Sequence, residues 1–184
     1  MKSKFFTESK KFLKTHEQTQ GTTFKEWLVN KPQEIKTTLI QCSYSNLIDL
    51  NGIEEFKNLE VLLCQDNQLT ELPDLSQLKN LQYLYCQNNQ LTKLPDLSEL
   101  ENLEELYCHN NKLTKLPDLT GLKVLWCYNN KLTKLPDLTG LKDLWCYNNN
   151  LPFYCTELEN NLEEYLEWQK KTYPWIWDAK TYNL

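Results

Sequence analysis

LEELYCHNNKLTKLPDL, residues 103–119, is one copy of the phrase that decides the fold of this 184-residue chain. The phrase reads L-x-x-L-x-C-x-x-N-x-L-T-x-L-P-D-L, and copies begin at Leu59, Leu81, Leu103 and Leu122, with a half copy from Leu141. A unit this short cannot bury its own apolar side, so successive units must stack on one another. With a degenerate first copy aligned on Cys42, the sequence predicts six stacked repeats.

The repeats come in two lengths. Those beginning at Leu59 and Leu81 have 22 residues, whereas those beginning at Leu103 and Leu122 have 19. The three missing residues lie in the return segment, which we define as the stretch between P-D-L and the next L-x-x-L. We therefore expect this segment to change from a helical turn in the longer repeats to a more extended path in the shorter ones.

The chain divides into three parts. Residues 37–151 hold the repeat array, residues 1–36 an expected N-terminal helical segment and cap, and residues 152–184 an expected C-terminal helical cap with an aromatic tail that contains Trp175 and Trp177. Caps are expected because the end units of a stacked array would otherwise expose their apolar side and a strand edge.

Each cap carries a helix signal. Thr23 followed by Glu26 is a capping-box pattern that opens a short helix, and Thr156 is expected to begin a second helix that runs to about Thr172. The apolar residues expected to cover the array are Phe24, Trp27 and Leu28 at one end, and Leu158, Leu162, Tyr165, Leu166 and Trp168 at the other.

Charge and hydropathy exclude several classes of partner. The net charge of -5 and the isoelectric point near 5.2 argue against nucleic acid and against an anionic membrane surface, since both attract basic proteins. The N-terminal residues lack the apolar run of a secretory signal, and no stretch approaches the roughly 20 apolar residues of a transmembrane helix. A cytoplasmic protein is expected, and secretion without a cleaved signal peptide remains open.

Six of the seven cysteines occupy the same position of successive repeats. We interpret them as small buried hydrophobes in a reduced interior. Spacings of 22 or 19 residues lack the close pairs of a zinc site, and neighbouring parallel strands orient their Cβ atoms badly for disulfides. Cys155 lies outside this column. The predicted column comprises Cys42, Cys64, Cys86, Cys108, Cys127 and Cys146.

The phrase at residues 103–119 resembles the leucine-rich repeat family, in particular its short bacterial repeats with Leu-Pro in the second half. The resemblance covers about residues 37–151, with Cys replacing the usual Leu at the sixth position. It implies an α/β solenoid with a parallel β-sheet on its concave side, and a protein partner bound there. Some bacterial effectors of this family carry a ubiquitin-ligase domain after the repeats, and residues 152–184 are too few for one.

Strand alternation assigns an outward face. Positions are counted from the first Leu of each copy, so Leu and Cys at positions four and six point inward while positions three, five and seven point outward. Position five is the most informative, because it carries Leu63 and then four aromatic residues. The outward residues predicted to contact a partner are Tyr83, Tyr85, Glu105, Tyr107, His109, Trp126, Tyr128, Asp143, Trp145 and Tyr147.

This outward face predicts a non-catalytic binding module for a protein or peptide, because Trp and Tyr offer large, rigid contact areas. Two alternatives remain open: a carbohydrate ligand stacked on the same aromatic residues, and a structural scaffold or homo-oligomer. Stacked aromatic residues also stabilise neighbouring strands, by about 0.2–1 kcal/mol a pair. The oligomeric state stays undetermined at this stage.

Other recurring polar residues are interpreted as structural. We expect the position-nine residues Asn67, Asn89, Asn111, Asn130 and Asn149 to bond the backbone of adjacent repeats. Asp74, Asp96, Asp118 and Asp137 follow Pro, where Asp commonly bonds its own backbone, so a calcium site is not expected.

No metal site, cofactor site or catalytic site is predicted. The chain has two histidines, His16 and His109, and no nucleophile elbow, glycine-rich phosphate loop or H-E-x-x-H motif. Cys108 and His109 are adjacent, but consecutive strand residues point to opposite faces. The thiol should therefore be buried and the imidazole exposed, which excludes a nucleophile pair.

Overall fold

The computed structural model describes residues 21–30, 38–153 and 161–172. Six short strands and two helices account for its regular secondary structure, together with one 3-10 turn at Ile53–Glu55. Among these described residues, no helix has both the length and the apolar character needed to cross a membrane. The elements are α1 (Phe24–Asn30), β1 (Leu39–Gln41), β2 (Val61–Leu63), β3 (Tyr83–Tyr85), β4 (Glu105–Tyr107), β5 (Val124–Trp126), β6 (Asp143–Trp145) and α2 (Leu162–Thr172).

The strands form one parallel sheet in chain order, with one strand from each repeat. Equivalent positions pair throughout: Leu84 aligns with Leu106, and Leu106 aligns with Leu125. Because a shift by one residue would turn the inward leucines to solvent, the repeat pattern itself enforces this register. The predicted solenoid of stacked parallel strands is confirmed.

The core is a continuous stack of leucines flanked by the column of cysteines. All six cysteines of this column are fully buried and carry free thiols. Burial raises the pKa of Cys42 and of Cys86 to about 12, so these thiols stay protonated and act as small apolar groups near neutral pH. The interpretation of these cysteines as core residues is confirmed; Cys155 lies outside the described residues.

Asparagine at position nine connects each repeat to its neighbour. The Asn111 side-chain Nδ2 donates to the carbonyl oxygens of Cys86 and Cys108, each at 3.1 Å, and its Oδ1 accepts from the Leu91 N–H at 2.9 Å. One amide thus satisfies backbone groups of two repeats at the point where the strand ends. The same pattern recurs at Asn89 and Asn130, which confirms the structural role predicted for this position.

The return segments differ between long and short repeats, although neither kind forms a helix. In a long repeat, Leu78 N–H donates to Leu75 O and Leu81 N–H donates to Leu78 O, both at 2.9 Å, which makes two successive turns. In a short repeat, only the single turn closed by Leu122 N–H on Leu119 O remains. The short repeats thus have one turn fewer than the long ones, and the helical turn expected in the long repeats is replaced by two successive four-residue turns.

The single turn of the short repeats requires glycine. Gly121 and Gly140 have φ values of 85° and 89°, in the left-handed region that side chains with a Cβ rarely adopt. The equivalent residue of a long repeat is Gln77, which does not have a positive φ. Glycine therefore appears in L-T-G and not in L-S-Q because the turn closes with a different backbone conformation.

At the N-terminal end, α1 begins with the predicted capping box. Thr23 N–H donates to Glu26 Oε2 at 2.8 Å, and Glu26 N–H donates back to Thr23 Oγ1 at 3.3 Å. Phe24 and Trp27 are buried against the first repeat, and Trp27 Nε1 donates to Ser45 Oγ at 3.1 Å. Ser45 stands where the other repeats carry asparagine, and its hydroxyl accepts this hydrogen bond from α1.

At the C-terminal end, Asn161 replaces a seventh strand. The buried Asn161 accepts the Cys146 N–H through Oδ1 at 2.9 Å and donates its own N–H to Leu144 O at 2.6 Å. It thereby pairs backbone groups in β6 and directly after it that would otherwise form an open edge. The Asn161 carbonyl also accepts the Tyr165 N–H in the first turn of α2. The Tyr165 hydroxyl in turn donates to Pro136 O at 2.9 Å.

The second helix is described from Leu162 onward. Of the residues predicted to cover this end, Leu162, Tyr165, Leu166 and Trp168 pack against the core. The N-terminal helical segment with His16, the helix start predicted at Thr156, the apolar Leu158 and the aromatic tail with Trp175 and Trp177 lie outside the described residues.

Replacing Asn161 by Ala is expected to lower the free energy of unfolding by about 1–3 kcal/mol, because the buried Cys146 N–H loses its acceptor. Urea unfolding followed by circular dichroism measures this loss. The exposed Asn150 is the matched control, and Asn150→Ala should stay within about 0.5 kcal/mol of the wild type. Equal midpoints for Asn161→Ala and the wild type would contradict the edge-pairing role.

Replacing Gly140 by Ala is expected to cost about 1–2 kcal/mol, the penalty of a Cβ in the left-handed region. No atom lies within 4 Å of the added Cβ, so the cost reflects backbone conformation and not crowding. Gln77→Ala at the equivalent position of a long repeat should leave thermal stability nearly unchanged. A similar melting shift in both variants would show that the two turns do not differ as described.

Candidate functional site

The outward face consists of positions three and five of the six strands together with position seven, which lies two residues beyond the end of each strand. In β3 to β6 the middle residue is buried and its two neighbours are half-buried, as strand alternation predicts. The structure brings all ten residues predicted to contact a partner together on this face. Whether they bind a partner stays a prediction.

Position five forms what we call the aromatic column: Tyr85, Tyr107, Trp126 and Trp145. The rings of Tyr85 and Tyr107 lie 4.3 Å apart and within 3° of parallel, and those of Tyr107 and Trp126 lie 4.5 Å apart and within 2°. Trp145 tilts by 54° against Trp126 at 5.8 Å. The inner rings therefore cover each other's faces and offer their edges to solvent.

Position seven forms a second column of His109, Tyr128 and Tyr147. His109 stacks on Tyr128 at 4.2 Å, and Tyr128 stacks on Tyr147 at 4.5 Å. The imidazole also lies 6.4 Å from the ring of Tyr107 and 6.1 Å from that of Trp126. His109 thus joins the two columns into one aromatic surface.

The expectation that His109 is exposed is wrong. Its side chain points to the outward face, but only 7% of the residue is accessible because the surrounding rings cover it. Burial lowers the pKa of His109 to about 4, so the imidazole is neutral at pH 7. Leu63 is likewise outward yet only 8% exposed. Alternation predicts direction, whereas exposure depends on the size of the neighbours.

Two carboxylates at position three are held against the aromatic column. The Tyr85 hydroxyl donates to Glu105 Oε2 at 2.8 Å, and Trp126 Nε1 donates to Asp143 Oδ2 at 3.3 Å. Each bond joins one strand to the next and therefore fixes both a ring and a carboxylate. Burial, reinforced by the charge of Glu105, raises the pKa of Tyr107 to about 12, so its hydroxyl stays neutral.

The outward positions carry no lysine or arginine. Lysines flank the face instead, at position two and position ten. Lys123 forms an ion pair with Glu104 at one flank, and Lys112 Nζ donates to Gln90 Oε1 at 3.3 Å at the other. With His109 neutral, the formal charges of the central face are those of Glu105 and Asp143.

The sequence analysis did not predict a row of side-chain hydrogen bonds that links the position-eight residues of successive repeats. Asp66, Asn88, Asn110, Asn129 and Asn148 all have positive φ, between 51° and 57°. Each Asn donates from Nδ2 to the side-chain oxygen of the position-eight residue in the preceding repeat. The distance is 2.9 Å from Asn88 to Asp66 Oδ1 and 2.6 Å from Asn110 to Asn88 Oδ1. The repeated Asn-Asn doublet was the available signal, because Asn tolerates the left-handed conformation.

Three of the four aspartates that follow Pro accept a backbone N–H within their own turns. Asp74 Oδ1 accepts the Ser76 N–H at 2.8 Å, Asp96 Oδ1 accepts the Ser98 N–H at 2.9 Å, and Asp137 Oδ1 accepts the Thr139 N–H at 3.0 Å. These bonds confirm that the motif is a local turn. Within the part of the chain that the structure describes, no group of His, Cys, Asp and Glu is arranged to hold a metal ion.

The adjacent pair Cys108 and His109 does not form a reactive unit. The Cys108 thiol is fully buried in the core, and burial raises its pKa well above the ordinary value. The His109 ring lies among Tyr107, Trp126 and Tyr128 on the opposite side of the strand. The two groups therefore lack the contact that activates a cysteine nucleophile.

Comparisons with known proteins agree with this geometry. A family model described as leucine-rich repeats (2 copies) matches residues 57–99 and 79–121. Among solved structures, the functional domain of InlJ from Listeria monocytogenes, which includes a cysteine ladder, is 38% identical over 65% of this chain and 27% of that one, with a TM-score of 0.57. No curated protein sequence matches the chain.

Two further structures share the fold. A leucine-rich repeat protein of Leptospira interrogans is 34% identical over 60% of this chain and 31% of its own length. YopM from Yersinia enterocolitica is 29% identical over 73% of this chain and 33% of its own length. Both have a TM-score of 0.54. The chain spans a third or less of each of these three structures. The repeat phrase, the six-stranded parallel sheet and these matches together place the chain in the leucine-rich repeat family.

Proposed function

We propose that this chain is a non-catalytic interaction module that binds a protein or peptide on the outward face of its sheet. The observation that carries the proposal is the aromatic column, a continuous row of four rings from Tyr85 to Trp145. A contiguous row of aromatic side chains on the surface supports an interaction site there. Solenoid proteins use extended faces of this kind to bind partners.

Ring orientation favours a protein over a carbohydrate. Sugar rings bind aromatic residues by packing their C–H groups on an exposed ring face. In the aromatic column, Tyr107 has Tyr85 on one face and Trp126 on the other, so a ligand meets its edge. Ring edges carry partial positive charge and suit aromatic faces and carbonyl oxygens, which a polypeptide provides.

The face is also rigid before it binds. Stacking holds the rings, and hydrogen bonds to Glu105 and Asp143 hold the tips of Tyr85 and Trp126. A partner therefore immobilises few side chains on this surface, and binding avoids the loss of about 0.5–1.5 kcal/mol for each side chain that would otherwise be ordered. This preorganisation supports a binding role beyond strand stabilisation.

Replacing Trp126 and Trp145 by Ala together is expected to weaken peptide binding at least about tenfold, as loss of aromatic anchors does. Peptides selected from a displayed random library on the wild-type chain serve as probes, with affinities measured by titration calorimetry. Trp126→Leu with Trp145→Leu is the companion variant, because position five already tolerates Leu63 and the fold should persist.

Tyr44→Ala is the matched control for removing an aromatic side chain, because Tyr44 is 47% exposed and lies outside the column. It should leave the affinity within about twofold. Unchanged affinity in both double variants would contradict the proposal. A glycan array tests the carbohydrate alternative directly: binding there, lost in the double variants and absent for peptides, would replace a protein partner by a sugar. Light scattering tests the homo-oligomer alternative.

Acid is expected to destabilise the face through His109. Its folded pKa of about 4 lies below the unfolded value of about 6.5, so the unfolded state binds the proton more tightly. The contribution of the neutral His109 to the free energy of unfolding is fully present above about pH 6.5. Up to about 3 kcal/mol of it is lost as the pH falls to about 4. Thermal melts of the wild type and His109→Phe across this range measure it. Parallel pH profiles would contradict it.

A further inference from the structure

We propose that the partner presents an arginine or lysine side chain to the gap between Glu105 and Asp143. This inference rests on the proposed function and specifies the chemistry of its partner. Both residues occupy position three, in β4 and β6, with the smaller Val124 of β5 between them. Two strand spacings separate their backbones by about 9–10 Å. At that backbone separation, one extended basic side chain could contact both carboxylates.

The carboxylates are positioned for such a contact. Glu105 accepts the Tyr85 hydroxyl through Oε2, and Asp143 accepts Trp126 Nε1 through Oδ2. A carboxylate offers about four lone-pair directions, so each retains capacity for a guanidinium or an ammonium group. Because the anchoring groups are neutral, neither negative charge is cancelled by its partner in the fold.

Charge complementarity selects a basic side chain over an acidic one. The central face carries two negative charges and no lysine or arginine, and the neutral His109 adds no opposing charge. The negative charges of Glu105 and Asp143 both act on the Tyr107 hydroxyl, which places them on the same part of the face. A cation bound between them therefore interacts with both at once.

The flanking lysines limit how basic the partner is. Lys123 at position two and Lys112 and Lys131 at position ten border the face, and they repel positive charge that extends beyond its centre. One or two basic residues set among apolar or aromatic ones fit this pattern better than a polybasic segment. The ring edges of the aromatic column would contact the apolar side chains of the partner, and the carboxylates of Glu105 and Asp143 would contact its basic side chain.

Selection of a displayed random-peptide library on the full chain provides the probe. Selected peptides should be enriched in Arg or Lys next to aromatic or aliphatic residues. Glu105→Gln combined with Asp143→Asn should raise their dissociation constant at least about tenfold. These replacements keep an oxygen acceptor for the Tyr85 hydroxyl and for Trp126 Nε1, so the aromatic column should stay in place.

The control removes two carboxylates elsewhere. Glu71 and Glu101 are exposed and lie outside the sheet face, and Glu71→Gln combined with Glu101→Gln should change the dissociation constant by less than about twofold. Replacing the basic residue of a selected peptide by Gln should weaken binding to the wild type and have little effect on binding to the Glu105→Gln, Asp143→Asn variant. Direct pairing of the two groups predicts this coupling, because each replacement then removes the same interaction.

The outcomes separate this inference from the proposed function. Peptides that lose affinity for Trp126→Leu with Trp145→Leu, but bind the charge variant as tightly as the wild type, would overturn the basic contact and leave the proposed function standing. Selected peptides without basic residues would do the same. Failure to select any peptide sensitive to the tryptophan replacements would contradict both.

Discussion

The architecture depends on the asparagine at position nine, which bonds the backbone of two repeats at once. At Asn111, one side-chain amide accepts the Leu91 N–H and donates to the carbonyls of Cys86 and Cys108. Without it, the Leu91 N–H would lack an acceptor, at a cost of about 1–3 kcal/mol, and the carbonyls of Cys86 and Cys108 would each keep only the bond from Asn89 or Asn130. Because every repeat after the first carries an asparagine at this position, the strands are held at a constant spacing and register, and so are the residues on the outward face.

The aromatic column follows from this spacing. Parallel strands lie about 4.7–4.9 Å apart, close to the 4.3 Å and 4.5 Å that separate the rings of Tyr85, Tyr107 and Trp126. Identical positions on successive strands thus bring flat rings to stacking distance without any strain in the sheet. The column adds cross-strand stabilisation, and because its faces are used internally, it presents edges to the outside. Frame and surface are consequently coupled, and a replacement in the column affects both.

Much of this could be predicted from sequence because the repeat fixes which residues are equivalent. The strands, their register, the buried cysteines, the capping box at Thr23 and the role of Asn111 all follow from position within a repeat. The burial of His109 could not be derived in that way, since it depends on how the rings of Tyr107, Trp126 and Tyr128 fill the space around it. Nor could Asn161, because it acts outside the repeats, where no equivalent position exists to guide alignment.

The division between constant and variable positions explains how such a frame acquires specificity. Leucine, cysteine and asparagine are repeated because the sheet requires the same contacts on every strand, whereas position three changes from Val61 through Tyr83 to Glu105 without affecting the core. A carboxylate at position three costs little free energy, because Glu105 is only half-buried and accepts a hydrogen bond from the hydroxyl of the neighbouring Tyr85. The hydrogen bond in turn fixes the charge in space, so it can be paired only by a group that arrives in one place. A regular frame therefore converts a few irregular residues into a defined pattern of apolar edge and negative charge, and the proposed partner would have to complement that pattern.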